Sequence, residues 1–189
     1  MSELHRRSPL EDGVRFGAPG FALLAAPAAG KIRVQALRKR GLRSPAADPA
    51  RLPLVPNTAS GSDPFALWKA PDDWLVYSPE RDASELSDWV AGISSDAPLV
   101  LTDISSASTV LELKGDRVSE ILLRDCTLDL EGEAVPPGRC AQTSFAQTIV
   151  MIHRPERDTW RLFVERSVTR HVWDWLVDSA GVFQTNGQT

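Results

Sequence analysis

Few side chains in this sequence are of the types that ordinarily carry catalysis, and their spacing limits what each could do. The three histidines, His5, His153 and His171, lie far apart, and none has a cysteine or serine placed to form a nucleophile–base pair. His171 sits one position from Val172 on a helical stretch and reads as a packed or surface residue. Cys126 follows the charged pair Arg124-Asp125, and Cys140 begins a strand; both read as structural thiols, and their spacing fits no zinc motif. The adjacent carboxylates Asp72 and Asp73 could in principle exchange protons with a substrate. Beside Pro71, however, they have the composition of a tight turn. Asp103, in Leu101-Thr102-Asp103-Ile104-Ser105, is the best single candidate for a functional acid. It sits at a strand end where Ser105 or backbone amides could bond it. The glycine-rich loops of nucleotide and phosphate sites and the paired histidines of zinc peptidases are missing, so those chemistries lack their ligands.

Charge and composition narrow the classes further. The 189 residues carry a net charge of −4 and are 42% hydrophobic, enough apolar material for an ordinary core. That charge is unevenly divided. Residues 1–45 hold nine lysines and arginines against three acids, and the remainder holds twelve against twenty-two. The densest basic cluster is Arg38-Lys39-Arg40 with Arg43. It reads as a solvated strand end and loop, as a contact for an acidic partner protein, or as a nucleic-acid contact. The last requires interleaved aromatic residues, which the cluster lacks, and a basic fold, whereas the body is acidic. Neither a nucleic-acid partner nor a membrane partner is therefore expected. No stretch reaches the roughly 18 to 20 apolar residues that cross a bilayer. Phe21 to Ala28 has the look of a signal-peptide end, but Glu11 and Asp12 interrupt the region before it, and a cytoplasmic protein is expected.

The elements that must position these residues follow from periodicity. Residues 1–30, rich in glycine and proline, read as an extended arm. Residues 31–183 read as one domain, with a short tail at 184–189. Lys31 to Arg38 is a strand, with Ile32, Val34 and Ala36 alternating against polar neighbours. Phe65–Trp68 and Trp74–Tyr77 form a hairpin about Pro71-Asp72-Asp73. Ser78-Pro79-Glu80 opens a helix burying Ala83, Leu86, Trp89, Val90 and Ile93, with Gly92 near its stop. Strands follow at Leu99–Thr102 and Thr109–Leu113, then a helix from Asp116 to Leu123 and a turn at Pro136-Pro137-Gly138. Phe145–Ile152 and Trp160–Val164 make a second hairpin. Ser167 caps a last helix that buries Val168, Val172, Trp175 and Leu176 and closes near Gly181.

The two halves, about 31–94 and 99–180, read as copies of one strand–helix–hairpin–helix unit. Trp74 and Trp89 are separated by the same interval as Trp160 and Trp175, within matching turn, strand and helix signals. An internally duplicated α+β fold, sheets packed on helices, is the expectation, with the two units folding together because neither covers both faces of its sheet alone. The other two large indoles, Trp68 and Trp173, are candidates either for an exposed aromatic interface or for completing the core.

The segments Trp74-Leu75-Val76, Asp103-Ile104-Ser105, Cys126-Thr127-Leu128-Asp129-Leu130, Pro136 to Thr143 and Glu165 to Leu176 resemble the gamma subunit of heterotetrameric sarcosine oxidase. The similarity covers roughly residues 31–183. The resemblance implies a fold like the folate-binding domain of glycine-cleavage aminomethyltransferase. It also implies a cytoplasmic bacterial complex of alpha, beta, gamma and delta chains that demethylates sarcosine oxidatively, passes the one-carbon unit to tetrahydrofolate and forms hydrogen peroxide. FAD, FMN, NAD and tetrahydrofolate would be held by the partner subunits, and none by this chain. The aminomethyltransferase relatives carry their catalytic acid in a longer hairpin, with Gly-Gly and paired Asp, in the region of Ser144 to Val150. This chain has Ser144-Phe145-Ala146-Gln147-Thr148-Ile149 and no acid there. A non-catalytic assembly subunit is the expected role, and a free-standing folate-dependent one-carbon transferase is the alternative. Arg38, Lys39, Arg40, Arg43, Trp68 and Trp173 are the expected partner-facing residues.

Overall fold

The computed structural model describes residues 9–10, 13–27, 29–37, 51–93, 98–130 and 134–185. In chain order the elements are β1 (Arg15–Ala18), β2 (Phe21–Ala25), β3 (Gly30–Ala36), β4 (Ala59–Ser60), β5 (Phe65–Ala70), β6 (Asp73–Ser78) and α1 (Ala83–Ala91). They continue with β7 (Leu99–Asp103), β8 (Ser108–Lys114), α2 (Val118–Leu122), β9 (Arg139–Phe145), β10 (Thr148–Glu156), β11 (Thr159–Glu165), a 3-10 turn (Arg166–Val168) and α3 (Thr169–Thr185). The strands form a six-stranded sheet, ordered β1-β2-β8-β11-β10-β9, and a five-stranded sheet, ordered β4-β5-β6-β3-β7.

Central strands with both faces buried force a layered arrangement. Every residue of β6 is buried, and β8 buries Val110, Leu111 and Leu113 on alternating faces. One face of the six-stranded sheet, with Leu111, Leu113, Trp160 and Leu162, packs on α2 and α3. One face of the five-stranded sheet, with Ile32, Val34, Trp74 and Val76, packs on α1. The two remaining faces meet, Leu67, Leu75 and Tyr77 against Val110, Met151 and Phe163. The result is helix, sheet, sheet, helix, a mixed α and β fold as expected.

The sheets are interlocked by a reciprocal exchange of strands. β2 directly precedes β3 yet pairs with β8 of the other sheet. β7 directly precedes β8 yet pairs with β3. Two crossovers, 26–29 and 104–107, therefore carry the chain between sheets in opposite senses. Their hydrogen bonds correspond: Ala26 N–H donates to the Val110 carbonyl and Ile104 N–H to the Lys31 carbonyl, each at 2.9 Å.

Four expectations are corrected. Residues 15–25 are a hairpin joined to β8, not an extended arm; Phe21, Leu23 and Ala25 are buried there, a burial supplied by strands far along the chain. α1 starts after Asp82 rather than Ser78, because the Asp82 side chain accepts from the Ser84 and Glu85 amides while the Glu85 carboxylate accepts from the Asp82 N–H. Ser78 instead ends β6, its Oγ accepting from the Glu80 and Arg81 amides. The second hairpin is a three-stranded meander. Ala146 and Gln147, both at positive φ, turn β9 into β10, so Phe145 ends one strand rather than beginning the next. Finally, α3 runs through Gly181 to Thr185, and its first turn is the 3-10 segment rather than a Ser167 cap.

Candidate functional site

The two crossovers face each other and enclose a cavity of about 310 Å³. One wall is Ala26, Pro27 and Ala29 to Lys31, and the opposite wall is Ser105, Ser106 and Ser108 to Val110. Residues 79–83, which lead into α1, Arg166, which opens the 3-10 turn before α3, and Pro9 complete it. The same topology brings the starts of both helical segments to it. Gly30 N–H donates to the Arg81 carbonyl, and Arg166 N–H donates to the Ala107 carbonyl. Position 30 requires glycine, because a Cβ there would collide with the Arg81 carbonyl oxygen. A volume of this size is at the lower end of ordinary ligand clefts, about 300 to 1,000 Å³.

Lys31 is the unusual residue of this cavity. It is 3% exposed, its amide donates to Ser105 Oγ, and its Nζ donates to the Ala29 carbonyl at a long 3.4 Å. Burial pushes its ammonium down to about 8, against the pull of Asp103, so at neutral pH it still carries its proton. On β3 it falls among the polar positions that alternation assigns to solvent. Only the second sheet, docked on that face, turns outward into inward.

The other sequence-identified residues occupy structural positions. Asp103 is exposed at the end of β7 and accepts from the Ser105 amide at 2.8 Å, the local bond expected of it. Asp72 lies in the β5–β6 turn at φ 61, and Asp73 is buried and held by Arg33, whose Nε is 2.9 Å from Oδ1. Cys140 is buried, its thiol directed at the Thr58 carbonyl (3.2 Å); desolvation pushes it up to about 12, which disables it as a nucleophile. Cys126 is half-buried, with Sγ 3.7 Å from Thr143 Oγ1. His171 bonds the Ala146 carbonyl across 3.0 Å and so braces the β9–β10 turn. Trp173 is corrected: it is 7% exposed within the core beneath α3, because the N-terminal hairpin packs against that helix and covers the side expected to face solvent. Trp68 is half-buried, opposite Trp74 on the α1 side of its sheet. Arg38, Lys39, Arg40 and Arg43 lie outside the described residues. Among those described, no group of histidine, cysteine and acidic side chains could hold a metal ion. Nor is any helix long and apolar enough to cross a membrane.

A second polar group lies between the sheets, away from the cavity walls. Glu112, Arg161 and His153 are cross-strand neighbours on β8, β11 and β10. Arg161 bonds Glu112 at 3.3 Å and covers the ring of Phe65 at 4.6 Å. His153 meets the same ring edge-on at 5.1 Å. Burial, reinforced by the Arg161 charge, pushes His153 down to about 3, so it is neutral. Nothing in this row offers an exposed reactive atom.

Residues 32–182 match the sarcosine oxidase, gamma subunit family. The chain belongs to that family. Over 135 residues, 71% of this chain and 64% of the other, it is 30% identical to sarcosine oxidase subunit gamma of Corynebacterium sp. (strain U-96). It is also 30% identical over 137 residues to the Arthrobacter sp. subunit, with the same coverage. The match thus spans under two thirds of the length of these gamma subunits. In three dimensions this gamma-family chain is similar to a chain of the heterotetrameric sarcosine oxidase from Corynebacterium sp. U-96 in complex with pyrrole 2-carboxylate. The TM-score is 0.74 at 24% identity, covering 94% of this chain and 96% of that one. It is also similar to glycine cleavage system aminomethyltransferase T from Bartonella henselae, with TM-score 0.57 at 15% identity over 85% of this chain and 46% of that one. The expected aminomethyltransferase-type architecture is therefore the one observed.

Proposed function

We propose that this chain is a non-catalytic, gamma-type subunit of a cytoplasmic heterotetrameric sarcosine oxidase, serving to assemble and stabilise alpha, beta and delta partners. The complex demethylates sarcosine oxidatively, transfers the one-carbon unit to tetrahydrofolate and forms hydrogen peroxide; FAD, FMN, NAD and tetrahydrofolate reside in the partner chains. Family membership supports the assembly, and one observation carries the non-catalytic reading. The β9–β10 hairpin turns in two residues, and no carboxylate occurs anywhere from Gln142 to Ile152. Proton transfer to folate nitrogen chemistry has no acid there to perform it.

The two halves are, on this reading, copies of one duplicated unit. The reciprocal exchange of β2 and β7 supports it. So do the paired tryptophans: Trp74 stands opposite Val34 and Trp160 opposite Leu113, each on the second strand of a hairpin, with Trp89 and Trp175 on the following helices. Partner contact falls to Trp68, half-buried at the edge of its sheet face, and to the basic cluster from Arg38 to Arg43.

Co-expression with the companion subunits tests this directly. The expected product is a yellow complex containing this chain, from which Trp68→Ala weakens the contact by about 2 kcal/mol. Purification as a colourless monomer indifferent to those partners overturns the reading. Tetrahydrofolate binding by the isolated chain, weakened by Asp103→Asn, would instead establish the free-standing transferase.

A further inference from the structure

The cavity between the crossovers has a charge pattern that assembly alone does not use. Its deepest charged group is Lys31, an ammonium with three donors and 3% exposure, bonded at long range to one carbonyl. An ammonium removed from water in this way is stable only when further acceptors reach it. Arg81 and Arg166 line the same space with Glu80 and Asp82; Arg81 is paired with Asp63 across 3.6 Å, and among the described residues Asp103 is the one acid whose charge acts on Lys31. Of those acids, Asp82 already accepts from the Ser84 and Glu85 amides, so its negative charge is engaged with the helix start. The hydroxyls of Ser106 and Ser108 add neutral donors to the wall. A cationic ligand would meet Lys31 unfavourably, and a purely apolar one would leave its donors unmet.

We propose that this cavity binds a small anion, a molecule whose carboxylate or phosphate group is held by Lys31 between the two crossovers. The volume of about 310 Å³ admits a compact metabolite and excludes a polymer. Lys31 anchors the charge, while Ser106 and Ser108 at the opposite wall orient what is attached to it. This function is independent of the docking role, since the residues involved are separate from Trp68 and the basic cluster.

Titration of the full-length chain with sodium phosphate and with sodium acetate, at constant ionic strength, tests the proposal. Calorimetry should show saturable binding of at least one anion, the stronger arm distinguishing phosphate from carboxylate, and the melting temperature should rise with anion concentration. Lys31→Met should weaken that affinity about ten- to a hundredfold, the loss expected when a charge-assisted bond to a ligand is removed. Ser106→Asp places an acid at an exposed wall position without disturbing the core and should weaken it as well. If Lys31→Met fails to fold, Ser106→Asp carries the test alone. The proposal is overturned by no saturable binding of either anion up to about 10 mM. Affinity unchanged in the folded variants overturns it equally.

Discussion

His153 and Arg161 stand directly opposite each other on β10 and β11, facing the layer between the two sheets, and the histidine is held neutral beside the guanidinium. Its Nδ1 is buried without a hydrogen-bond partner among the described residues. The pair therefore makes the fold sensitive to acid. The unfolded chain takes up this proton near 6.5 and the folded chain not until about 3. The contribution to stability is thus complete above 6.5 and is lost as the pH falls toward 3. Between pH 7 and pH 5 the loss is about 2 kcal/mol. Urea titrations at the two pH values should show it, and His153→Leu should remove most of the difference. An equal pH dependence in the variant would refute the assignment.

Trp74 makes a second buried polar contact, its Nε1 donating to the Pro53 carbonyl at 2.7 Å. Trp74→Phe keeps most of the apolar ring but leaves that carbonyl without its donor. The expected cost is about 2 to 4 kcal/mol, and Trp74→Ala should cost about 3 to 5 kcal/mol. Chemical denaturation followed by circular dichroism measures both; a loss below about 1 kcal/mol for the alanine variant would contradict the core position.

The exchanged strands predict how the chain divides. A fragment of residues 1–95 keeps β2 without its partner β8, and a fragment of residues 96–189 keeps β7 without its partner β3. Each should be largely unfolded alone, with an unsatisfied sheet edge and a bare inter-sheet face. Mixed at equal concentration they should recover the circular dichroism spectrum of the intact chain. Independent folding of either fragment would show that the exchange is not needed.

The β9–β10 turn offers a gain rather than a loss. Gln147 is exposed and sits at φ 58, in the left-handed region that costs a residue with a Cβ about 1 kcal/mol. Gln147→Gly relieves that strain at a position that buries nothing. It should stabilise the chain by about 0.5 to 1 kcal/mol, seen as a rise in melting temperature.

Much of the secondary structure was legible because local patterns carry it. The β5–β6 hairpin about Asp72 and the buried stripe of α1, Leu86 and Val90, appear where periodicity and turn composition place them. So does the close of the chain on α3 through Val172 and Leu176. The β9–β10 turn was not legible, since Ala-Gln carries none of the usual turn residues; the flanking strands and the His171 contact impose it. The N-terminal hairpin has the composition of an arm for a similar reason: its burial comes from β8, not from its own neighbours.

The sequence by itself determined the family, the elements whose patterns are local, such as the β5–β6 hairpin and the stripe of α1, and the spacing of the paired tryptophans, all of which depend on residues near each other in the chain or on motifs that survive divergence. Tertiary structure alone decided the exchange of β2 and β7, the burial of Trp173 and the cavity. The reason is the same in each case. Whether the polar side of a strand faces water or another sheet depends on what docks there, and for Lys31 a second sheet turns an apparently solvent-facing lysine into a buried charge.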